Sequence, residues 1–161
     1  HINISDPVIL KLIQIGEEKG LLSDFCKKIS QGISFYDDIS RFFFDFHLLL
    51  ISGTQILEGL EICGDKFKKN KKLSVAIKQI KNEVFSGSEI FDAFAKHSNL
   101  FNKSVISLIK VGEETGCLDD QCMNIAEILN KQLLHRQISN KKIDLDNRNL
   151  NDLDFLSLIH I

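Results

Sequence analysis

Two adjacent carboxylate pairs, Glu17-Glu18 and Glu113-Glu114, are the side chains whose type and spacing most invite a chemical reading. Each pair follows one glycine (Gly16, Gly112) and precedes another two residues later (Gly20, Gly116). Paired carboxylates can move protons, hold a cation or meet a basic partner. Proton transfer needs a second group converging on the same pocket, and neighbouring residues on a helix point in different directions, so no catalytic site is expected here. Nor would a helix choose them for its own stability, because carboxylates in a last turn oppose the helix dipole by roughly 0.3–1 kcal/mol. Two readings stay open. One Glu of each pair accepts hydrogen bonds from N–H groups at the start of the next helix, or the pair is an exposed acidic knuckle for a basic partner or a cation.

The remaining candidates are weaker. Cys26, Cys63, Cys117 and Cys122 have neither a signal-peptide pattern nor paired zinc spacing around them, and read as reduced thiols. His47 and His135 fall within apolar helical stripes and read as partly buried polar residues. No metal and no cofactor is expected. Lys66, Lys68, Lys69, Lys71 and Lys72 form a basic cluster that reads as an exposed loop between Asp65 and Lys72. Beneath a membrane the same lysines would meet anionic headgroups, at about 1 kcal/mol each. Nucleic acid is not an expected partner, since Phe67 alone offers stacking and the formal net charge is -2.

The elements that position these groups follow from the repeat around them. Leu12-Ile13-Gln14-Ile15-Gly16-Glu17-Glu18-Lys19-Gly20 returns as Leu108-Ile109-Lys110-Val111-Gly112-Glu113-Glu114-Thr115-Gly116, so one helix-hairpin unit is used twice. Gly16 and Gly112 lie inside helical stripes, where Gly costs about 1 kcal/mol relative to Ala, and imply close approach of a neighbouring helix. Gly20 and Gly116 end their helices in a left-handed conformation. With 161 residues, 43% hydrophobic, one Pro, no Trp and twelve Phe, the chain holds one sizeable core and shows no period-two stretch.

The expected fold is all-α: an antiparallel bundle of about six helices built from hairpins, with an extra N-terminal hairpin at residues 1–33. A first helix opens at Asp6-Pro7, and a short second one runs from Ser23 to Gly32. A Phe-rich helix spans Ser34 to Ser52 and closes at Gly53. Thr54 caps a helix ending at Gly64. Another ends at Gly87, Ser88 starts the next, Asn102 caps one more, and Asp119 caps a last helix reaching about Ser139. Residues 140–161 turn to Asn, Asp, Lys and Arg and read as a mobile tail, whose apolar end is either a docking segment or an added terminus. No apolar stretch nears the ~20 residues that span a bilayer, so the chain reads as soluble.

Three strings carry a resemblance. Phe42-Phe43-Phe44-Asp45-Phe46-His47-Leu48-Leu49-Leu50-Ile51-Ser52-Gly53-Thr54-Gln55-Ile56-Leu57-Glu58-Gly59-Leu60 is similar to the first hairpin of the type II secretion F domain family. Gly87-Ser88-Glu89-Ile90-Phe91-Asp92-Ala93-Phe94 resembles its central turn. Phe101 with Val111-Gly112-Glu113-Glu114-Thr115-Gly116-Cys117-Leu118-Asp119 resembles its last hairpin. The resemblance covers about residues 34–139. It implies a non-catalytic cytoplasmic domain of the inner-membrane platform protein of type II secretion or type IV pilus machines. The partners implied are the cytoplasmic assembly or retraction ATPase, inner-membrane assembly proteins, a second copy as homodimer, and the membrane through segments outside this chain. A soluble fragment of a longer chain is expected. The alternative is a soluble all-α regulatory or signalling adaptor unrelated to secretion. The first Gly-Glu-Glu copy lies outside the resemblance.

Overall fold

The computed structural model describes residues 5–21, 23–24 and 37–159, with side chains placed as far as residue 144. Seven helices are described: α1 (Pro7–Lys19), α2 (Asp38–Ile51), α3 (Ile56–Lys66), α4 (Lys71–Phe85), α5 (Ile90–Ala95), α6 (Lys103–Thr115) and α7 (Leu118–Ile159). Local chemistry starts most of them. Asp6 accepts the Val8 N–H at 2.9 Å with Pro7 at the first position of α1. Asp37 does the same for Ser40, Asn70 for Leu73 and Asn102 for Val105.

The Phe-rich helix α2 lies at the centre. Phe42, Phe43, Phe46 and Leu49 on it are fully buried. Rings of Phe42 and Phe43 meet Phe94 of α5 and Phe101, with centroids 5.9–6.4 Å apart, and Phe94 meets Phe101 at 4.9 Å. Such pairs add about 0.5–1.5 kcal/mol each beyond the area they bury. α2 packs most extensively on α7 and also meets α3; α4 packs on α3 and α5; α6 packs on α5 and α7; α1 packs on α2 and α3.

The two Ser-Gly corners that join α2 to α3 and α4 to α5 are built alike. Ser52-Gly53-Thr54-Gln55-Ile56-Leu57-Glu58 and Ser86-Gly87-Ser88-Glu89-Ile90-Phe91-Asp92 place Gly at φ 90° and 99°. The next residue's N–H returns to the preceding helix in both, Thr54 to Leu49 O at 3.0 Å and Ser88 to Glu83 O at 3.1 Å. Thr54 and Ser88 therefore do not cap the helices that follow. They sit two residues ahead of the first helical residue, and their hydroxyls reach Ser52 Oγ (3.1 Å) and Glu83 Oε2 (3.3 Å) instead.

Several expected boundaries move. α2 begins at Asp38 rather than Ser34, because the Asp37 cap starts it. α3 continues through Gly64 to Lys66: Gly64 is buried, and the side chains of Lys78 and Ile77 lie 3.3–3.6 Å from where its Cβ would be. The Asp65–Lys72 loop shrinks to a turn whose Phe67 is buried. Helix α7 starts at Leu118 and runs through Ile159, about 63 Å at 1.5 Å per residue, where the last helix was expected to end near Ser139. No Gly or Pro follows Gly116, and once a helix is nucleated each further residue adds a hydrogen bond. The expected helix from Ser23 to Gly32 falls mostly outside the described residues.

Candidate functional site

Both Gly-Glu-Glu strings end their helices with the same backbone. Gly20 has φ 69° and ψ 21°, Gly116 φ 72° and ψ 17°. The N–H of each donates to the carbonyl four residues back, Gly16 O and Gly112 O. Leu21 and Cys117 donate to the same two oxygens at 2.9 Å. At Gly112, α6 and α7 approach closely: a Cβ there would lie 2.9 Å from Leu118 Cα and 3.0 Å from Gln121 Cγ. Gly16 is likewise buried.

The acidic pairs then diverge. Glu113 is half-buried, and its two carboxylate oxygens accept the N–H groups of Ile90 (2.7 Å) and Phe91 (3.1 Å). It thus caps α5, a helix six residues long whose own N-cap, Glu89, makes no side-chain bond. The helix it caps is not the next one along the chain. α7 packs on the Gly112 side of α6, and Glu113, about 100° further round, faces α5. A carboxylate on two N–H groups at the positive end of a helix is a charge-assisted arrangement. Glu114 is exposed, 3.8 Å from Lys110.

In the first copy Glu17 and Glu18 are both exposed, and Glu18 accepts from Gln14 at 3.1 Å. Among the described residues Glu17 makes no hydrogen bond or ion pair, and the N-cap of α3, Gln55, makes no side-chain cap bond. Here the tether is the next residue but one: Lys19 Nζ donates to Ser52 O at 2.9 Å, at the first Ser-Gly corner. Each string therefore meets one corner, the second through an anion on N–H groups and the first through a cation on a carbonyl.

The lysine cluster is not one surface. Lys66 is largely buried and bridges two carboxylates, Asp6 Oδ2 and Asp45 Oδ2, each at 2.6 Å. Arg41 reaches the other oxygen of Asp45 at 3.2 Å. Burial pushes the Asp45 carboxyl up from its ordinary value, with Lys66 and Arg41 pulling the other way. Lys68, Lys69, Lys71 and Lys72 are exposed, the last two in the first turn of α4. Lys66 thus departs from the expected exposed loop, since α3 turns it inward toward Asp45. His47 is half-buried with Nδ1 2.8 Å from Asp119 O, and His135 is exposed. Burial raises the thiols of Cys63 and Cys122, which keeps them protonated and unreactive. Among the described residues, no three His, Cys, Asp or Glu side chains converge on a metal position, and no helix is long and apolar enough to cross a membrane.

Sequence reasoning missed Asp45 and its partners. The signal was present as one carboxylate in the run Phe42-Phe43-Phe44-Asp45-Phe46, where an acid needs a buried cation.

Residues 42–143 match the type II secretion system (T2SS) protein F family. The chain belongs to that family. It is similar to the Type 4 fimbrial assembly protein PilC of Pseudomonas putida, with 30% identity over 91 residues, 56% of this chain and 22% of the relative. It is also similar to Type IV pilus assembly proteins PilC of Thermus thermophilus (28% over 96 residues, 60% and 23%) and Pseudomonas aeruginosa (26% over 89, 55% and 24%). The chain therefore spans about a quarter of the length of these relatives. The family match contains α3 to α6, α2 from Phe42 onward, α7 as far as residue 143, and the second Gly-Glu-Glu string. Helix α1 and the first string lie outside it. Membership removes the ground for an adaptor unrelated to secretion.

Proposed function

We propose that this domain is a non-catalytic cytoplasmic scaffold of an inner-membrane platform protein, coupling an assembly ATPase to pilin or pseudopilin assembly. Family membership over residues 42–143 is the observation that carries the reading. The relatives' names as pilus assembly proteins support a role in such a machine. The chemistry of the helix ends fits a scaffold. Glu113 is spent on holding α5, while Glu114, Glu17 and Glu18 project from ends whose backbone a left-handed glycine has set. Rigid exposed carboxylates suit a basic partner surface, steering it at a range of about 8–10 Å at physiological salt. The test is co-purification with the cognate ATPase. Glu114→Lys combined with Glu17→Lys and Glu18→Lys is expected to lose the complex with helical content unchanged. A complex that survives all three changes removes the acidic ends from the mechanism.

The same reading gives Lys68, Lys69, Lys71 and Lys72 a role at anionic headgroups and excludes Lys66, which is already paired. Vesicles with and without an anionic lipid, titrated against the four-lysine-to-glutamine variant, test that contact. Pairing of two copies belongs to the reading as well, with sedimentation equilibrium as its measurement.

A further inference from the structure

Helix α1 lies outside the family match, yet it covers a face made almost entirely of matched residues, Arg41 being an exception. Three polar tethers hold it there, one near each end and one between. Asp6 at the helix cap pairs with Lys66 at 2.6 Å, Lys11 pairs with Glu58 at 2.8 Å, and Lys19 donates to Ser52 O at 2.9 Å. The face therefore reads acid, base, base along α1 and answers with cation, carboxylate, carbonyl. Between the tethers Val8, Leu12 and Ile15 are buried.

The seal is incomplete. A cavity of about 40 Å³ sits between α1 and α2, lined by Val8, Ile9 and Leu12 on one side and Arg41, Phe44, Asp45 and Leu48 on the other. Side chains along a void forgo part of their dispersion contacts, and here one wall is an ionisable group. Docking α1 also buries Asp45, which is 2% exposed and must share Lys66 with Asp6. Apolar burial, charge order and an underfilled joint together describe a segment that is matched to its face and held by few strong contacts.

We infer that α1 is a releasable strap over an interaction face of the family fold, with Lys66 as its clasp, and that the occupant which takes this face when α1 leaves is α1 of a second copy. The complementarity is to the sequence of α1 itself: the occupant must carry an acid at its helix cap, a base five residues on and a base thirteen residues on. Every tether runs between α1 and α2, α3 or the corner joining them, so exchange between copies re-forms each contact without a new interface. This inference does not depend on the ATPase reading.

The test uses the whole chain and a fluorescent peptide copy of residues 5–21 standing in for the second copy's α1. Asp6→Asn removes one charge-assisted bond at the clasp. Amides of residues 8–19 are then expected to exchange about tenfold faster while those of α2 and α7 keep their wild-type rates. The peptide is expected to bind the Asp6→Asn chain about tenfold more tightly than wild type. Binding is lost when Lys66→Met and Asp45→Asn are added together, a combination that leaves no buried charge unpaired. Exchange of α1 that stays in step with α2 and α7 overturns the strap. Equal peptide affinity for wild type and Asp6→Asn, or no binding to either, overturns the interaction face.

Discussion

The two Gly-Glu-Glu strings close their helices with backbone angles that agree within about 4° and with the same pair of hydrogen bonds, yet their glutamates do different work. Glu113 is drawn onto the two N–H groups that open α5, whereas Glu17, its counterpart, stays exposed and Lys19 anchors the first string to a corner carbonyl. The corners they meet are themselves near copies, so the difference is not in the receiving backbone. It lies in which residue of the string faces the corner. A repeated sequence therefore guarantees a repeated turn, and leaves the contacts of its side chains to the helices around it.

Lys66→Met should break the first copy's setting most severely. It leaves the buried Asp45 carboxylate with the half-exposed Arg41 as its remaining partner, at a cost of about 3 kcal/mol in denaturant unfolding at neutral pH, and adding Asp45→Asn should recover most of it. The pH dependence has a defined sign. Burial raises the folded pKa of Asp45 above its unfolded value, so its contribution is fully present below the unfolded pKa and is lost as pH rises through the folded one. Without Lys66 that loss deepens, and the deficit of Lys66→Met should shrink as the pH is lowered toward about 4. A deficit that is constant with pH would mean that the loss of Lys66 does not act through the Asp45 carboxylate.

Gly112→Ala comes next. The added methyl would sit 2.9 Å from the backbone of Leu118, an overlap of about 1–3 kcal/mol offset by about 1 kcal/mol of helix propensity. Thermal melting should show a net loss of up to about 2 kcal/mol. Glu113→Ala should cost a similar amount, about 1–2 kcal/mol, because it uncaps α5, while Glu17→Ala should stay within about 0.5 kcal/mol. Equal effects at the two positions would erase the distinction drawn between the strings. A further modest change is the one the two strings share. Gly20→Ala and Gly116→Ala meet no neighbour within 4 Å, so each should lose only the strain of a left-handed alanine, about 1 kcal/mol, and by the same amount.

Much of the fold was legible before any tertiary contact was known, and the reasons are local. Asp6 with Pro7, and Asn102, announce helix starts because their side chains bond N–H groups two or three residues away. Gly53, Gly87 and Gly116 announce turns because their positive φ is costly for other residues. The site was less legible. Glu113 was foreseen as a hydrogen-bond acceptor or a partner contact, but the helix it caps is not the following one, because its choice is made by α6 crossing α5. Lys66 was read with its neighbours as an exposed charge, since nothing in five nearby lysines marks one that α3 turns inward. Residues 140–159 read as a tail by composition, although no Gly or Pro stands there to end α7.

By itself, the sequence determined an all-α chain, the caps, the left-handed glycine ends, the Phe-rich central helix and the family to which residues 42–143 belong. These rest on interactions that span at most a few residues, or on patterns that survive as strings. Only the tertiary structure decided that Glu113 closes α5, that Lys66 joins Asp6 to Asp45, and that α1 covers the α2–α3 face. Those partners stand 21 to 60 positions apart, and a charge meets its counterpart across such a gap only where two helices happen to cross.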